Sequence, residues 1–476
     1  MTAARIEARG WGWRHGGRLA WAVDGLDLVV EPGERVLLLG ASGSGKSTLL
    51  AALAGVLGDD QGEARGELLI DGRRPAPGRA GFVLQDPESQ VILPRVADDV
   101  AFGPENLGVP IEEIRRRVPA ALAEVGLAVP GDASATALSG GQKQRLALAG
   151  VLAMAPGLVL LDEPTANLDP EGVEEVRDAV ARGVAASGAT LVVVEHRVAT
   201  WQDAVDRVVV LGREGVLADG PSRAVLAAHG PALAAAGVWV PGLSPVVPVP
   251  AAPGEGLIRA EGLVVGRGRP VARIGDLGLD GGRLTAVVGP NGAGKTTLGL
   301  TLGGLLPPVS GRVGPTAALA AGLRGEPERW RSRDLLTRIA VVFQSPQHQF
   351  LTGTVREELG VGLRALKVPE ARRRARVDDL LDRLGLAPLA EANPFTLSGG
   401  QQRRLSVGSA LAAAPRLVVL DEPTFGQDAT TWAALVRLLA DVVADGTGVL
   451  AVTHDPLLAA AAHRVVPVGR AAEVSA

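Results

Sequence analysis

The chain of 476 residues contains no cysteine. Disulfides, thiolate metal sites and thiol nucleophiles are excluded, which fits a reducing compartment. Long apolar runs are also missing. No stretch reaches the roughly 18 uncharged apolar residues that a bilayer-crossing helix needs. The first nine residues carry Arg5, Glu7 and Arg9 and no apolar core, so they do not read as a secretory signal. An excess of positive charge is absent too: the net charge is −4, which gives no support for non-specific nucleic-acid binding. These absences predict a soluble intracellular protein. Its 47% hydrophobic content suffices for a core, and its length allows two to four domains at about 150 residues each.

What is present is dominated by one stretch, Gly40-Ala41-Ser42-Gly43-Ser44-Gly45-Lys46-Ser47-Thr48. It follows the apolar run Arg35–Leu39, read as a buried strand, and precedes Leu49–Ala54, read as a helix. Strand, glycine-rich turn, Lys-Ser and helix form a phosphate-binding loop. Glycines let successive backbone N–H groups converge on phosphates, and the helix N-terminus adds about half a positive charge. Lys46 can reach the β- and γ-phosphates, and Ser47 can ligate Mg²⁺.

The chain repeats itself. A second loop lies at Gly289-Pro290-Asn291-Gly292-Ala293-Gly294-Lys295-Thr296-Thr297. Leu138-Ser139-Gly140-Gly141-Gln142 recurs as Leu397-Ser398-Gly399-Gly400-Gln401, and Asp162-Glu163-Pro164-Thr165 as Asp421-Glu422-Pro423-Thr424. The loop lysines are offset by 249 residues and the serines by 259. Gln85 and Gln344 lie at the larger offset, so the extra residues of the second copy fall between 312 and 338. Such duplicated spacing marks two modules: residues 1–237 and 257–476, joined by a Pro-rich linker at 238–256 that reads as an extended spacer or a loop packed on one domain.

Within one module, Leu26–Val30 and Arg35–Leu39 read as antiparallel strands around a Pro32-Gly33 turn. Further on, strands alternate with helices, which implies an α/β fold with a mainly parallel sheet. Ligands of such sheets bind at the carboxyl ends of the strands. The phosphate loop, Gln85, Asp162-Glu163 and His196 all follow strand ends, so they can converge. Asp162 is placed to hold Mg²⁺, and Glu163 to polarise an attacking water. Gln85 can reach the metal or the water. His196, which recurs as His454, can contact the γ-phosphate. Ser139-Gly140-Gly141 reads as a second phosphate cradle at a helix start. Arg115, Arg116 and Arg117 read as a solvated helix face.

With these elements in order, the chain resembles the nucleotide-binding subunits of ABC transporters, two of them fused in tandem. The resemblance implies two P-loop NTPase domains, each with an antiparallel β subdomain and a helical subdomain beside the parallel core. It implies ATP and Mg²⁺ as ligands. Nucleotide contacts would come from Gly40, Ser42, Gly43, Gly45, Lys46, Ser47 and Thr48, and from Gly289, Asn291, Gly292, Gly294, Lys295, Thr296 and Thr297. Further contacts would come from Ser139, Gly140, Gly141 and Gln142, and from Ser398, Gly399, Gly400 and Gln401. Ser47, Gln85 and Asp162 would hold metal in one site, and Thr296, Gln344 and Asp421 in the other. Glu163, Glu422, His196, His454, Gln85 and Gln344 would serve hydrolysis. In that family the domains pair head to tail, so Lys46 would share an ATP with Ser398, and Lys295 with Ser139. The D-loop positions would be Ala166-Asn167-Leu168-Asp169 and Phe425-Gly426-Gln427-Asp428. The adenine-stacking position falls at His15 in the first half, and only Gly266-Arg267-Gly268 stands there in the second.

The contexts Phe82-Val83-Leu84-Gln85-Asp86-Pro87-Glu88-Ser89-Gln90 and Val342-Phe343-Gln344-Ser345-Pro346-Gln347-His348-Gln349-Phe350 are similar to those of energy-coupling factor (ECF) importers of vitamins and metals. The stretch 98–108 and Val194-Glu195-His196-Arg197 resemble the same group. That resemblance implies a peripheral protein on the cytoplasmic face of the membrane, bound to a transmembrane T component and a substrate-binding S component, with Gln90 and Gln349 expected at the docking groove. Another ABC transporter class, or a ribosome-associated tandem ABC protein, is the alternative reading.

Overall fold

The computed structural model describes all residues except Met1, Ser42, Asp59, Asp86, Ala166, Asn167, Asp169, Arg213 and 470–476. The chain divides into two compact units. The first is Met1–Ser244 with the short stretch Asp428–Thr430, and the second is Pro245–Gln427 with Thr431–Ala476.

The first unit runs β1 (Ile6–His15), β2 (Val23–Val30), β3 (Arg35–Leu39), α1 (Lys46–Leu53), β4 (Gly62–Ile70), β5 (Ala80–Val83), α2 (Val96–Asn106), α3 (Ile111–Glu124), α4 (Gly140–Ala153), β6 (Leu158–Asp162), α5 (Pro170–Ser187), β7 (Thr190–Val194), α6 (Val198–Trp201), β8 (Arg207–Gly212), β9 (Gly215–Pro221) and α7 (Ser222–Ala235). Six strands form one sheet in the order β5-β6-β7-β3-β8-β9, and three form another in the order β2-β1-β4. All pairs in the larger sheet are parallel except β8 with β9. Its central strands are apolar throughout because both faces are covered. Leu37 and Leu39 of β3 join the core beneath α4 and α5, while Val36 and Leu38 join the core shared with β1, β2 and α1.

One expectation is corrected. Arg35–Leu39 does not pair with Leu26–Val30. It lies in the parallel sheet between β7 and β8, while β2 pairs with β1 in the other sheet. The Pro32-Gly33 turn passes the chain between sheets. Arg117 is also not free in solvent, because it donates to Glu113 and to the Ala153 carbonyl.

The second unit runs β10 (Gly256–Gly266), β11 (Pro270–Asp280), β12 (Leu284–Val288), α8 (Lys295–Leu302), β13 (Ser310–Pro315), α9 (Ala317–Ala320), α10 (Ser332–Leu335), β14 (Ile339–Val342), α11 (Val355–Leu359), α12 (Val361–Ala365), α13 (Glu370–Arg383), α14 (Gly399–Ala412), β15 (Leu417–Asp421), α15 (Ala429–Ala444), β16 (Gly448–Val452), α16 (Pro456–Ala461) and β17 (Arg464–Pro467). Its sheets repeat the pattern, as β14-β15-β16-β12-β17 and β11-β10-β13. The extra residues build α9, α10 and a 3₁₀ turn at Pro327–Arg329 between β13 and β14. Within 238–256, Val238 and Val240 belong to the core of the first unit, and the Trp239 N–H donates to the His196 carbonyl at 3.2 Å. The compact first unit thus extends to Ser244.

Candidate active sites

Each phosphate loop links a central strand to a helix. Gly45 and Gly294 sit directly before α1 and α8 with φ of 88° and 97°. A Cβ at Gly45 would lie 2.4 Å from the Ala22 carbonyl oxygen, so only glycine fits. Lys46 Nζ donates to the Gly40 and Ala41 carbonyls at 2.8 and 3.1 Å, and Lys295 Nζ to those of Gly289 and Pro290 at 2.9 Å each. The lysine ammonium is thereby held over its own loop. Ser42 lies outside the described residues.

The Walker-type acids stand at the ends of β6 and β15. Ser47 Oγ donates to Asp162 Oδ1 at 3.2 Å. Burial raises the Asp162 carboxyl to about 6 and also raises Asp421, which accepts from the Thr296 hydroxyl. Asp421 Oδ1 is buried and no hydrogen-bond donor reaches it. A buried hard oxygen beside a hydroxyl is the donor chemistry that Mg²⁺ takes. The residues fit the metal.

Glu163 and Glu422 follow with φ of 47° and 49°, a left-handed conformation unusual for a non-glycine. Each is held there by its own N–H, which donates to the Val194 or Val452 carbonyl at 2.9 Å. The turn lifts each carboxylate off the strand end. In the first unit Glu163 gathers the site: Gln85 Nε2 donates to Oε2 at 2.6 Å, and His196 Nε2 lies 2.8 Å from Oε1. Burial opposes charge on His196, but the adjoining Glu163 carboxylate outweighs it and raises the imidazole above its ordinary value. The expected convergence of Gln85, Glu163 and His196 is therefore present.

The second site differs. His454 Nε2 is 3.6 Å from Glu422 Oε1 and 3.0 Å from Asn291 Oδ1 of the phosphate loop. The His454 backbone N–H donates to Glu422 Oε2 at 3.2 Å. Gln344 is exposed at its strand end. Burial lifts Glu422 to about 7, partly offset by that N–H. Arg403 of α14 is buried beside these acids, and burial lowers it to about 10. Gln144 occupies the same place in the first unit. Sequence reasoning missed Arg403, because its approach to the acids depends on packing of α14 beneath β15.

Ser139 and Ser398 cap α4 and α14. Each serine hydroxyl accepts from the N–H three residues on, and the Gln142 or Gln401 side chain accepts the serine N–H at 3.0 Å. The serine and glutamine side chains are thus engaged in capping boxes. The N–H groups of Gly140, Gly141, Gly399 and Gly400 open the helices, where no intrahelical acceptor exists. Ala166, Asn167 and Asp169 of the first D-loop lie outside the described residues.

His15 Nε2 lies 3.3 Å from Thr48 Oγ1 in α1, and Trp13 packs edge-on against its ring. Arg267, at the same register of the second unit, is exposed. Gln90 and Gln349, expected at a docking groove, make hydrogen bonds within their own units. Gln349 accepts from the Phe343 N–H and the Ser406 hydroxyl and donates to the Val341 carbonyl. Gln90 donates to the Leu84 carbonyl. Gln349 thus braces the loop after its strand, while the Gln90 bond lies at an exposed position. The exposed apolar residues are two positions later: Ile92 is 58% and Leu351 76% exposed.

A family model described as ABC transporter matches residues 23–166 and 275–425. The chain is 35% identical over 467 residues to YkoD of Bacillus subtilis (strain 168), described as a candidate HMP/thiamine import ATP-binding protein, covering 90% of this chain and 83% of that one. It is 33% identical over 499 residues to a candidate ABC transporter ATP-binding protein of Methanosarcina mazei, covering 93% and 83%. Among solved structures, the RNase-L inhibitor aligns over 97% of this chain and 91% of that one, with a TM-score of 0.61 at 19% identity, a likeness of fold alone.

Proposed function

We propose, from the premise that this chain belongs to the ABC transporter family and is an ATPase of that family, that it is the motor of an ECF-type importer. The solute would be a vitamin, a vitamin precursor or a transition-metal ion. The observation that carries this reading is the exposed apolar residue after each glutamine loop, Ile92 and Leu351. The first unit also carries a groove of about 760 Å³ walled by Ala101, Ile111, Ile114, Val118 and Leu122, with Asp98, Glu105 and Arg115 lining it as well. No helix among the described residues is long and apolar enough to cross a membrane. In this reading the partner is a membrane-spanning T component, and one of its helices on the cytoplasmic face suits this surface. The import function carried in the name of a relative supports the same direction.

In this reading the two units pair head to tail, and each ATP lies between one phosphate loop and the opposite serine-capped helix. Lys46 and Lys295 neutralise the β- and γ-phosphates. Ser47 with Asp162, and Thr296 with Asp421, would hold Mg²⁺, aided by Gln85 and Gln344. The metal would supply charge neutralisation on the phosphates. Glu163 and Glu422 orient and polarise the attacking water, and His196 and His454 hold charge developing on the γ-phosphate.

The test is co-purification with a detergent-solubilised T component. Ile92→Asp together with Leu351→Asp should weaken capture at least tenfold and leave the ATPase rate of the free chain within twofold. Capture of the doubly substituted chain at the parent's level, or capture of ribosomes in place of a membrane protein, overturns the ECF reading.

A further inference from the structure

The residue before each switch histidine is Glu195 in the first unit and Thr453 in the second. Glu195 is only 5% exposed and has no role in the chemistry described above. Its Oε1 accepts the Thr165 N–H at 3.1 Å and the Thr165 hydroxyl. Its Oε2 accepts the His196 N–H at 3.1 Å. One buried carboxylate therefore ties the segment leaving the Asp162-Glu163 pair to the backbone of the histidine.

The second unit braces the same threonine from the other side of the histidine. Thr424 Oγ1 donates at 2.8 Å to Asp455, which follows His454 and also accepts from Trp432 Nε1 at 2.5 Å. In the first unit Arg197 holds that place and is exposed. Asp455 does not take the histidine N–H, and Thr453 Oγ1 accepts the Asp455 N–H at 2.9 Å. The His454 N–H goes instead to Glu422 itself.

The consequence is a different pose for the two glutamates. Where Glu195 takes the histidine N–H, Glu163 is released to meet His196 Nε2 at 2.8 Å and Gln85 at 2.6 Å. Without it, Glu422 is drawn to the histidine backbone, and the imidazole stands 3.6 Å from Glu422 and turns to Asn291. We propose that Glu195 is a positioning residue that aims Glu163 at the switch histidine, and that its replacement by threonine at 453 makes the two ATP sites unequal. The inference rests on Glu163 polarising the water.

The test uses the full chain and three variants: Glu163→Gln, Glu195→Gln and both together. Glutamine at 195 keeps the size and the oxygen that accepts from Thr165, but its NH₂ cannot accept the His196 N–H. Glu195→Gln should lower kcat about tenfold, as a misplacement of this kind does, with the KM for ATP within twofold and the melting temperature near the parent's. The double variant should be no slower than Glu163→Gln, because the two residues act through one carboxylate. Glu195→Thr, which copies the second unit, should match Glu195→Gln. A parental kcat in Glu195→Gln alongside an impaired Glu163→Gln overturns this inference alone, as does a multiplicative loss in the double variant. A parental rate in Glu163→Gln removes the water-polarising role, and this inference with it.

Discussion

Glu422 offers a direct measure of how far burial has altered a catalytic carboxylate. Its carboxyl is raised from the ordinary 4.5 to about 7, first by burial. Folding then favours the protonated form. Below pH 4.5 the group is protonated in both states and contributes nothing. Between 4.5 and 7 the unfolded chain ionises first, so stability falls as pH rises. Above 7 both states are charged and the loss is constant, about 3 kcal/mol for a rise of this size. Glu422→Gln cannot titrate. In urea unfolding of the nucleotide- and metal-free chain, the difference between Glu422→Gln and the parent should be flat below pH 4.5. It should grow through pH 6 and reach about 3 kcal/mol in favour of the variant at pH 8. Comparing the two chains cancels Asp162 and Glu195, which belong to the other unit and are raised in the same direction. A difference that stays constant from pH 4.5 to 8 would refute the buried-carboxylate argument.

Other expectations concern these two glutamines, Gln349 and Gln90, and the base site. Gln349 makes three hydrogen bonds to its own unit, at about 0.5–1.5 kcal/mol each. Gln349→Leu should lower the melting temperature of that unit by about 3–18 °C. Gln90→Leu, which loses the bond to Leu84, should cost less than half as much in the same calorimetric scan. In a chain with Lys295→Ala, His15→Ala should weaken ATP binding about three- to tenfold, the scale of one lost aromatic stack. In a chain with Lys46→Ala, Arg267→Ala should leave the affinity within twofold, by equilibrium dialysis with labelled ATP.

The legible part of the molecule was the part written in short contiguous patterns. The phosphate loops, the paired acids at strand ends, the capped glycine-rich helices and the histidines all stand where spacing put them. The ten-residue difference between the copies resolves into the α9–α10 segment. What stayed hidden depends on partners distant in sequence. Arg35–Leu39 follows β2 in the chain but pairs with strands more than 150 residues later, and a turn does not announce which sheet comes next. Nothing in the sequence around Gln349 shows its contact with Ser406, which is made across 57 residues. Glu195 and Asp455 flank the histidines visibly, yet only the placement of Thr165 and Thr424 shows that each carboxylate closes the same bracket from opposite sides.

The left-handed turn at Glu163 and Glu422 sets folding against turnover at single positions. A non-glycine there costs about 1 kcal/mol or more that glycine avoids. A library randomised at 163 or 422 and sorted only for folded, soluble protein should therefore drift towards glycine. The same library sorted for ATP turnover should return glutamate. Divergence of the two sorted pools would register, in residue frequencies, how much conformational ease the chain forgoes to lift a carboxylate off its strand.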